Sequence, residues 1–354
     1  MPNPLVSILV PTRNRALQLE TCLKWIQAQA YAPFEILISD NASEDQTEEV
    51  CRRAARSDPR IRYIRQTRNL GLYGNHNFLI EAGKGEFLCF FHDHDERDPR
   101  ILNRYSEFLQ HHPEVGVVCS DWDLMGEQGE PLGDRRYGIR EVTPGLEFID
   151  ETMRSGRSSV ASASVMIRRS ALGDIRFNEQ GPLGFGDFPV WFQIAERAAI
   201  GHIPEILWTW RQGKNVGSAR TIESMARDYH ENLSRYCDEH LARWPEHGPR
   251  VARWKRDIRR YLFWALAFEV GLYVRKNPQP PRPGDRPTLF EILGYRLDPE
   301  TFRRTLDQMR TYRTGPLEKT AFLAILMLVQ LKITQPLTWA TRNRELFRKM
   351  LKLC

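Results

Sequence analysis

Three acidic residues follow directly on one strongly apolar segment of the sequence. The five apolar residues 87–91 predict a short strand that is buried on both faces. The chain then continues into Asp93, Asp95 and Glu96. Carboxylates two residues apart at the end of a strand can place their oxygens on one hard divalent cation. The alternative is a solvated acidic turn, which is also the prediction for the similar Asp-x-Asp spelling at residues 121–123.

Strands and helices alternate through the first hundred residues. Apolar runs at residues 5–10, 34–39 and 61–64 predict three more strands, and residues 74–82 predict a helix before the strand at 87–91. A helix between the first two strands is predicted by four apolar residues at helical spacing: Leu19, Cys22, Leu23 and Ile26. This alternation favours a parallel sheet with helices on both sides.

Polar residues stand at the ends of three of the predicted strands. They are residues 11–14, residues 40–41 and the acidic segment at 93–95. In open α/β sheets, ligands bind beyond the carboxyl ends of the parallel strands. We therefore expect the three clusters to meet along one edge of the sheet and to form a binding site.

Short motifs in a fixed order carry a resemblance to a known family. They are residues 10–15, 39–47, 68–71 and 85–86, followed by Phe91, Asp93 and Asp95. With this order and spacing the chain resembles glycosyltransferase family 2 over about residues 5 to 215. The resemblance implies an α/β protein of GT-A fold, a Rossmann-like, mostly parallel sheet flanked by helices. It also implies inverting transfer of a sugar from a nucleoside-diphosphate sugar.

The resemblance gives roles to individual residues near the strand ends. Asp40 would accept hydrogen bonds from the base or ribose of the donor nucleotide, and Arg13 or Arg15 would face its diphosphate. Asp93 and Asp95 would hold the Mg²⁺ or Mn²⁺ ion. The residues expected at the donor nucleotide are Pro11, Thr12, Arg13, Asn14, Asp40, Asn69 and Asp93.

Two segments depart from the family pattern. The family often has a small residue, Arg and Asn in the helix before the strand at 87–91, where this chain has Asn-His-Asn at 75–77. Either His76 replaces that diphosphate contact, or it is a histidine on the helix surface. Further on, the family commonly has a His shortly after an aromatic-Arg segment, and no His stands directly after Arg211 here. Its role would fall to Arg211 or Lys214, or would be absent.

A catalytic base is expected near residue 187. Residues 184–191 predict the start of a helix, where the family has an acidic residue followed by Asp, and the second of these acts as the base. Gly186 replaces the first acid, while Asp187 keeps the second. An Asp at a helix start is also a common capping residue, which is the alternative that the residue alone favours.

Basic residues are concentrated in the last third of the chain. Residues 251–354 contain 21 Lys and Arg against 9 Asp and Glu, a net of +12, whereas residues 1–250 have a net of −6. Such a region predicts contact with phosphate groups, on either lipid head groups or nucleic acid. The sequence contains no helix-turn-helix, zinc or RNA-binding signature, so a nucleic-acid partner is not expected.

The chain is expected to divide into a catalytic domain at residues 1–217 and a helical, basic region at 218–354. A proline-rich break at 277–287 indicates a hinge or a rigid spacer. The apolar run 321–329 is shorter than the roughly 20 residues needed to span a bilayer. It is either a core helix or a helix in the membrane interface, and the basic residues and Trp339 nearby favour the second.

The sequence therefore predicts a metal-dependent inverting glycosyltransferase of cell-surface polysaccharide or glycolipid biosynthesis. Its donor would be a nucleoside-diphosphate sugar, and its acceptor a glycan or a lipid-linked intermediate. The alternative is a nucleic-acid- or anion-binding protein on a degenerate sugar-nucleotide fold. The six scattered cysteines predict neither disulfides nor a zinc site, and the pattern of the first residues does not predict a secretory leader. The expected location is the cytoplasm, either free or peripheral on the inner face of the cytoplasmic membrane.

Overall fold

The chain folds into two compact units. The computed structural model describes residues 3–126, 128–211, 222–274, 299–312, 315–318 and 321–322. The first unit comprises residues 1–152 and 157–216, and the second comprises residues 153–156 and 217–354.

A ten-stranded mixed sheet forms the centre of the first unit. Its strands are β1 (Val6–Thr12), β2 (Phe34–Asp40), β3 (Ile61–Arg65), β4 (Phe87–Phe91), β5 (Glu96–Arg97), β6 (Val115–Met125), β7 (Pro131–Arg135), β8 (Val142–Thr143), β9 (Ser164–Arg168) and β10 (Ala199–Arg211). Their spatial order is β3-β2-β1-β4-β9-β6-β10-β5, with β7 beside β6 and β8 beside β10. The neighbours β3, β2, β1 and β4 run parallel, and so do β6 and β10. Strand β9 is antiparallel to both β4 and β6.

Helices connect the strands of the first unit. They are α1 (Ala16–Gln27), α2 (Thr47–Ser57), α3 (Gly71–Ala82), α4 (Ile101–His111), α5 (Gly145–Ser155), α6 (Arg169–Leu172) and α7 (Phe188–Ala195). The apolar face predicted for α1 is confirmed, because all four of its residues are buried. The alternation of strands and helices in the first hundred residues is confirmed as well.

Strand β4 lies inside the sheet between β1 and β9, and all five of its residues are buried. Its entry requires a close backbone approach to β1. A Cβ atom at Gly85 would lie 2.6 Å from the backbone nitrogen of Ser7, so only glycine fits there. The Ser7 hydroxyl oxygen accepts the Gly85 N–H at 2.7 Å and thereby fixes the position at which β4 begins.

Several predicted boundaries and one predicted turn are wrong. Strand β1 extends to Thr12 because it pairs with β2 up to that residue, and α3 begins at Gly71. Residues 121–123 belong to β6, which pairs with β10 over this stretch. The buried Asp121 accepts hydrogen bonds from Nε2 of His202 (2.9 Å) and from a backbone N–H (3.0 Å). These partners are distant in sequence, so local composition gave no sign of the strand.

The second unit is helical over its described residues, as the sequence predicts for this region. Its elements are α8 (Ile222–Arg243), a short 3₁₀ turn (Pro245–His247), α9 (Gly248–Val274) and α10 (Pro299–Tyr312). Buried rings join α8 to α9: the ring centroids of His240 and Trp254 are 4.9 Å apart. Helices α8 and α9 therefore share a packed interior that contains aromatic as well as aliphatic side chains.

Among the described residues, none of the helices combines the length and apolarity needed to cross a membrane. The predicted proline-rich break at 277–287 lies outside the described residues, and so does the apolar run from residue 323 onward. Lys214, which the sequence offers as a phosphate contact, also lies outside them.

Candidate active site

The candidate site lies at the carboxyl ends of β1, β2 and β4. Thr12, the last residue of β1, pairs with Asp40, the last residue of β2, and β4 ends directly before the acidic segment. The hydroxyl of Thr12 donates to Oδ2 of Asp93 at 2.7 Å. Nε of Arg15 lies 3.8 Å from Oδ1 of the same carboxylate. The structure therefore brings side chains from the first and third polar clusters into direct contact.

The loops after β1 and β2 interlock. The backbone N–H of Asn14 donates to the Ser43 hydroxyl at 2.9 Å, and Oδ1 of Asn14 accepts the Glu44 N–H at 2.8 Å. Asn14 has a positive φ of 51°, a conformation that asparagine tolerates better than most residues. Next to it, Arg13 is exposed and Pro11 is partly exposed. The two loops thus form one rigid surface that faces solvent.

Asp40 is completely buried beneath these loops. Its carboxylate accepts hydrogen bonds from Tyr63 (2.9 Å), Arg65 (3.2 Å) and a backbone N–H of the following loop (2.8 Å). Burial, followed by the hydrogen bond to Asp40, raises the pKa of Tyr63 and keeps it a neutral donor. Asn69 lies against the same loop and accepts a hydrogen bond from Asn41 at 2.9 Å. The side chains of Asp40 and Asn69 are therefore held in fixed positions.

The acidic segment is bracketed by cationic groups. The ring of His94 lies between two carboxylates, with Nδ1 3.1 Å from Oδ1 of Asp93 and Nε2 3.5 Å from Oδ1 of Asp95. Arg97 is completely buried, and its Nη2 is 3.5 Å from Oδ2 of Asp95. The backbone N–H of Arg211 donates to Oδ1 of Asp95 at 3.3 Å. The end of β10 is thereby attached to the segment that follows β4.

This segment is chemically suited to a divalent cation. The side chains of Asp93 and Asp95 are 6% and 0% exposed, and buried carboxylates stay ionised only beside positive charge. The guanidinium group of Arg97 makes a long hydrogen bond of 3.5 Å to Asp95, and that of Arg15 lies 3.8 Å from Asp93. Burial alone would lower the pKa of His94, but Asp95 and Asp93 raise it. Two buried carboxylates in one short segment offer the oxygen ligands that Mg²⁺ or Mn²⁺ takes.

His76 lies in the interior, so the helix-surface alternative is wrong. The residue is 2% exposed, and its ring stacks on Phe90 with a centroid distance of 4.9 Å. Burial lowers the pKa of His76 to about 4, so the imidazole is neutral near pH 7. A neutral, buried ring cannot supply the positive charge that a diphosphate contact needs. His76 instead packs beneath the site, with its ring centroid 5.9 Å from that of His92.

The asparagines on either side of His76 hold neighbouring elements in place. Asn75 donates to the carbonyl of Ser39 and accepts a hydrogen bond from its hydroxyl, which fixes α3 to the end of β2. Asn77 accepts the N–H of Phe177 and donates to its carbonyl, both at 2.9 Å. These contacts were not predicted, because the partners of Asn77 lie 100 residues further along the chain.

Asp187 immediately precedes α7. Its side chain makes no capping hydrogen bond to this helix, so the capping alternative is wrong. Instead Oδ2 accepts a hydrogen bond from Nε1 of the buried Trp191 at 3.1 Å. Burial raises the pKa of the Asp187 carboxyl, and the hydrogen bond from Trp191 offsets part of that effect. A partly exposed carboxylate with a raised pKa is suited to accept a proton from a ligand.

Comparison with known proteins identifies the first unit. Residues 7–176 match the model of the family Glycosyl transferase family 2. Over these residues the chain is similar to this family. The matched residues include the interlocked loops and the acidic segment, whereas Asp187 and Arg211 lie beyond them.

Solved structures of similar fold extend over nearly the whole chain. Residues 1–349 of Staphylococcus aureus TarS, solved with UDP-GlcNAc, have a TM-score of 0.59 and 15% identity, over 95% of this chain and 91% of that chain. The mannosyltransferase PcManGT from Pyrobaculum calidifontis, solved with GDP-Man and Mn²⁺, has a TM-score of 0.54 and 18% identity, over 96% and 84%. The predicted GT-A fold is confirmed.

Relatives in sequence match shorter parts of their own chains. Protein y4gI of Sinorhizobium fredii is 28% identical over 68% of this chain and 26% of its own length. The GalNAc(5)-diNAcBac-PP-undecaprenol beta-1,3-glucosyltransferase of Campylobacter jejuni is 39% identical over 26% of this chain and 30% of its own length. WcaA of Escherichia coli, a putative colanic acid biosynthesis glycosyl transferase, is 34% identical over 35% and 45%. The chain therefore spans less than half the length of these three relatives.

The structure explains why Gly186 stands where the family pattern has an acid. A Cβ atom at Gly186 would lie 2.6 Å from the ring of Tyr73. That ring cannot easily move, because it stacks on Phe177 at 5.2 Å and its hydroxyl donates to the carbonyl of Leu183 at 2.8 Å. Tyr73 therefore occupies the space of a side chain at 186 and fixes the loop that leads to Asp187.

Replacing Gly186 with Ala is expected to lower the free energy of unfolding by about 1–3 kcal/mol, the usual cost of overpacking a filled site. Denaturant unfolding of the full chain measures the change. The same substitution in a Tyr73→Leu background is the matched comparison, and there it is expected to cost clearly less. An equal cost in both backgrounds would show that the ring of Tyr73 is not the obstacle.

Proposed function

We propose that this protein is a metal-dependent inverting glycosyltransferase that moves a sugar from a nucleoside-diphosphate sugar to an acceptor hydroxyl. The observation that carries the proposal is the meeting of Thr12, Arg15, Asp93 and Asp95 at the carboxyl ends of β1 and β4 in a family 2 domain. Two proteins of similar fold were solved with UDP-GlcNAc and GDP-Man, which supports a donor of this class.

The interlocked loops after β1 and β2 form the donor site. Asp40 is the proposed partner of the base or ribose; in this structure it is fully buried and holds the loop that follows β2. Arg13 and Arg15 bring positive charge towards the diphosphate. Arg211 already pairs with Glu96, so it acts mainly on the acidic segment. The proposed donor residues are Pro11, Thr12, Arg13, Asn14, Asp40, Asn69 and Asp93.

Asp93 and Asp95 supply the carboxylates of the cation site. When bound, Mg²⁺ or Mn²⁺ supplies positive charge to the nucleoside diphosphate as it leaves. The protein holds both carboxylates in place: the Thr12 hydroxyl fixes Oδ2 of Asp93, and the buried Arg97 lies beside Oδ2 of Asp95. Arg97 is itself held by a hydrogen bond of 2.5 Å to the carbonyl of Ala163. The site is therefore organised before any ligand arrives.

Asp187 is the proposed catalytic base. It takes the proton from the acceptor hydroxyl as that oxygen bonds to the anomeric carbon of the donor sugar. The bond from that carbon to the diphosphate breaks on the opposite face, which inverts the configuration. Trp191 donates a hydrogen bond to Oδ2 of Asp187 and thereby orients the carboxylate. Because burial raises the pKa of this carboxyl, it is a stronger base than an exposed aspartate.

Incubation with a panel of UDP-, GDP- and dTDP-sugars tests the proposal directly. The full chain is expected to release nucleoside diphosphate slowly from one class of donor, because water can take the place of the acceptor. A nucleic-acid- or anion-binding protein on the same fold would release none from any donor. Asp40→Ala is the matched variant, and it is expected to reduce release by weakening donor binding.

The acceptor is proposed to be a lipid-linked or surface polysaccharide intermediate met at a membrane surface. Two relatives named above act, by their names, on an undecaprenol-linked substrate and in colanic acid biosynthesis. The net charge of +12 over residues 251–354 also suits an anionic leaflet. We propose that the protein works in the cytoplasm, peripherally on the inner face of the cytoplasmic membrane.

Liposome co-sedimentation tests this membrane proposal. The full chain is expected to pellet with anionic vesicles and to stay in the supernatant with neutral ones, because each Lys or Arg near an anionic leaflet contributes roughly 1 kcal/mol. Changing Arg348, Lys349 and Lys352 to Glu is expected to weaken binding. The same charge change at three exposed residues of the first unit is the control: Lys24, Arg56 and Lys84. A full chain that never pellets at low salt contradicts the proposal.

A further inference from the structure

The segment after β4 offers nitrogen as well as oxygen ligands for a cation. Three residues, His92, His94 and Asp95, each offer one ligand atom, and these three atoms lie within 4.8 Å of one another. Neighbouring ligands of one ion, each about 2.1 Å from it, stand about 3–3.5 Å apart. Side-chain shifts of up to about 1 Å would therefore bring all three onto one ion.

His92 has a ring nitrogen that the described part of the protein does not satisfy. Its Nε2 is buried and has no hydrogen-bond partner there. Nearly all buried polar atoms in proteins have a partner, so an orphaned imidazole nitrogen on a residue of this cluster requires an explanation. A metal ion supplies one, because it accepts the lone pair of a neutral imidazole.

His94 is oriented as a metal ligand commonly is. When the ring carries its hydrogen on Nδ1, it donates to Oδ1 of Asp93 across 3.1 Å, and the lone pair of Nε2 faces Oδ1 of Asp95 at 3.5 Å. Metal-binding histidines typically donate their second ring nitrogen to a carboxylate in this way, which fixes the tautomer and the ring. The other oxygen of Asp93 is taken by Thr12 at 2.7 Å.

We propose that His92, His94 and Asp95 are the protein ligands of the divalent cation, and that Asp93 orients His94. This rests on the transferase function proposed above, but it replaces Asp93, given there as a carboxylate of the cation site, with the two histidines as ligands. Two imidazoles and one carboxylate favour first-row transition ions over Mg²⁺, which prefers oxygen ligands. The site is thus expected to bind Mn²⁺ at least tenfold more tightly than Mg²⁺, and Co²⁺ or Zn²⁺ more tightly still.

Titration of the metal-free full chain with Mn²⁺, followed by electron paramagnetic resonance, tests this ligand set. Pulsed spectra are expected to show nitrogen-14 couplings from directly bound imidazole. His92→Gln and His94→Gln are each expected to weaken Mn²⁺ binding by about tenfold or more. Asp93→Asn should keep the nitrogen couplings, because an amide oxygen still accepts from His94. His111→Gln, at an exposed histidine on α4, is the matched control and should bind like the wild type.

Bound Mn²⁺ without nitrogen couplings, no bound Mn²⁺, or histidine variants that bind like the wild type would overturn the ligand set. Where a variant fails to fold, the spectrum of the wild type still tests the ligand set. The donor panel separates this proposal from the function itself. Metal-dependent release of nucleoside diphosphate without nitrogen couplings would retain the enzyme and reject these ligands. Nitrogen couplings without release from any donor would retain the ligands and reject the transferase.

Discussion

Replacing Asp187 with Asn is expected to lower the rate of sugar transfer by about 100-fold or more, because Asn cannot accept the acceptor's proton. The substitution keeps the shape of the side chain, and an amide oxygen can still accept the hydrogen bond that Trp191 donates at 3.1 Å. Donor affinity should barely change, since the donor residues lie on the loops after β1 and β2. The measurements are kcat at saturating substrates and the Kd of the nucleoside diphosphate.

Asp174→Asn is the matched control for this experiment. Asp174 lies on the stretch that leads to Asp187, and its side chain is 89% exposed and pairs with Arg197 at 3.2 Å. The control is expected to transfer sugar at close to the wild-type rate. An Asp187→Asn variant that transfers normally, or that first loses nucleotide binding, would show that the base is a different residue.

The raised pKa of Asp187 also sets a pH dependence. The kcat of the wild type should rise with pH through a value above about 4, the ordinary pKa of aspartate, as the base ionises. The stability that goes with a raised pKa is present in acid and is lost as pH rises through the folded-state value. Asn does not ionise, so the stability of Asp187→Asn, compared with that of the wild type at the same pH, should be higher near pH 7 than in acid. Thermal unfolding at both pH values checks the sign.

Local sequence patterns were enough to predict the parallel strands whose ends form the site. The strands that end at Thr12, Asp40 and Phe91 are short apolar runs, and the carboxyl ends of adjacent parallel strands must lie at one edge. That geometry is why the contact between Thr12 and Asp93 could be expected without coordinates. The glycine and polar residues of the motifs also indicated which segments form the loops at this edge.

What could not be predicted depends on partners far along the chain. His76 reads as a surface residue until Phe90 and Phe177 pack over it, and Asp121 reads as a turn until His202 arrives on β10. Gly186 is explained only by the ring of Tyr73. The sequence shows which residues could take part in chemistry. Whether a side chain is buried, and which tautomer a histidine adopts, depends on contacts between distant residues, which local sequence patterns do not reveal.

Replacing Asp95 with Asn is expected to reduce the rate of sugar transfer on the order of 10³-fold. The substitution removes several kcal/mol of charge stabilisation at the leaving diphosphate, and about 1.4 kcal/mol corresponds to a tenfold change in rate. Asp95 is fully buried and is the one carboxylate shared by the pair expected from the sequence and the set proposed from the structure. Its substitution should therefore weaken Mn²⁺ binding with either set of ligands. Transfer rate and Mn²⁺ affinity are measured on the same preparation.

Two comparisons make the result specific to the cation. Asp98→Asn is the matched control, because Asp98 lies three residues further on, pairs with Arg100 at 2.8 Å and is not one of the possible ligands. It should transfer normally. EDTA should inhibit the wild type, and Mn²⁺ should restore it but should not restore Asp95→Asn. Neutralising Asp95 also leaves the buried Arg97 with less compensation, so a small loss of thermal stability is expected. Full transfer in EDTA would reject a metal role for this segment, because the carboxylates would then serve only to balance Arg97 and His94.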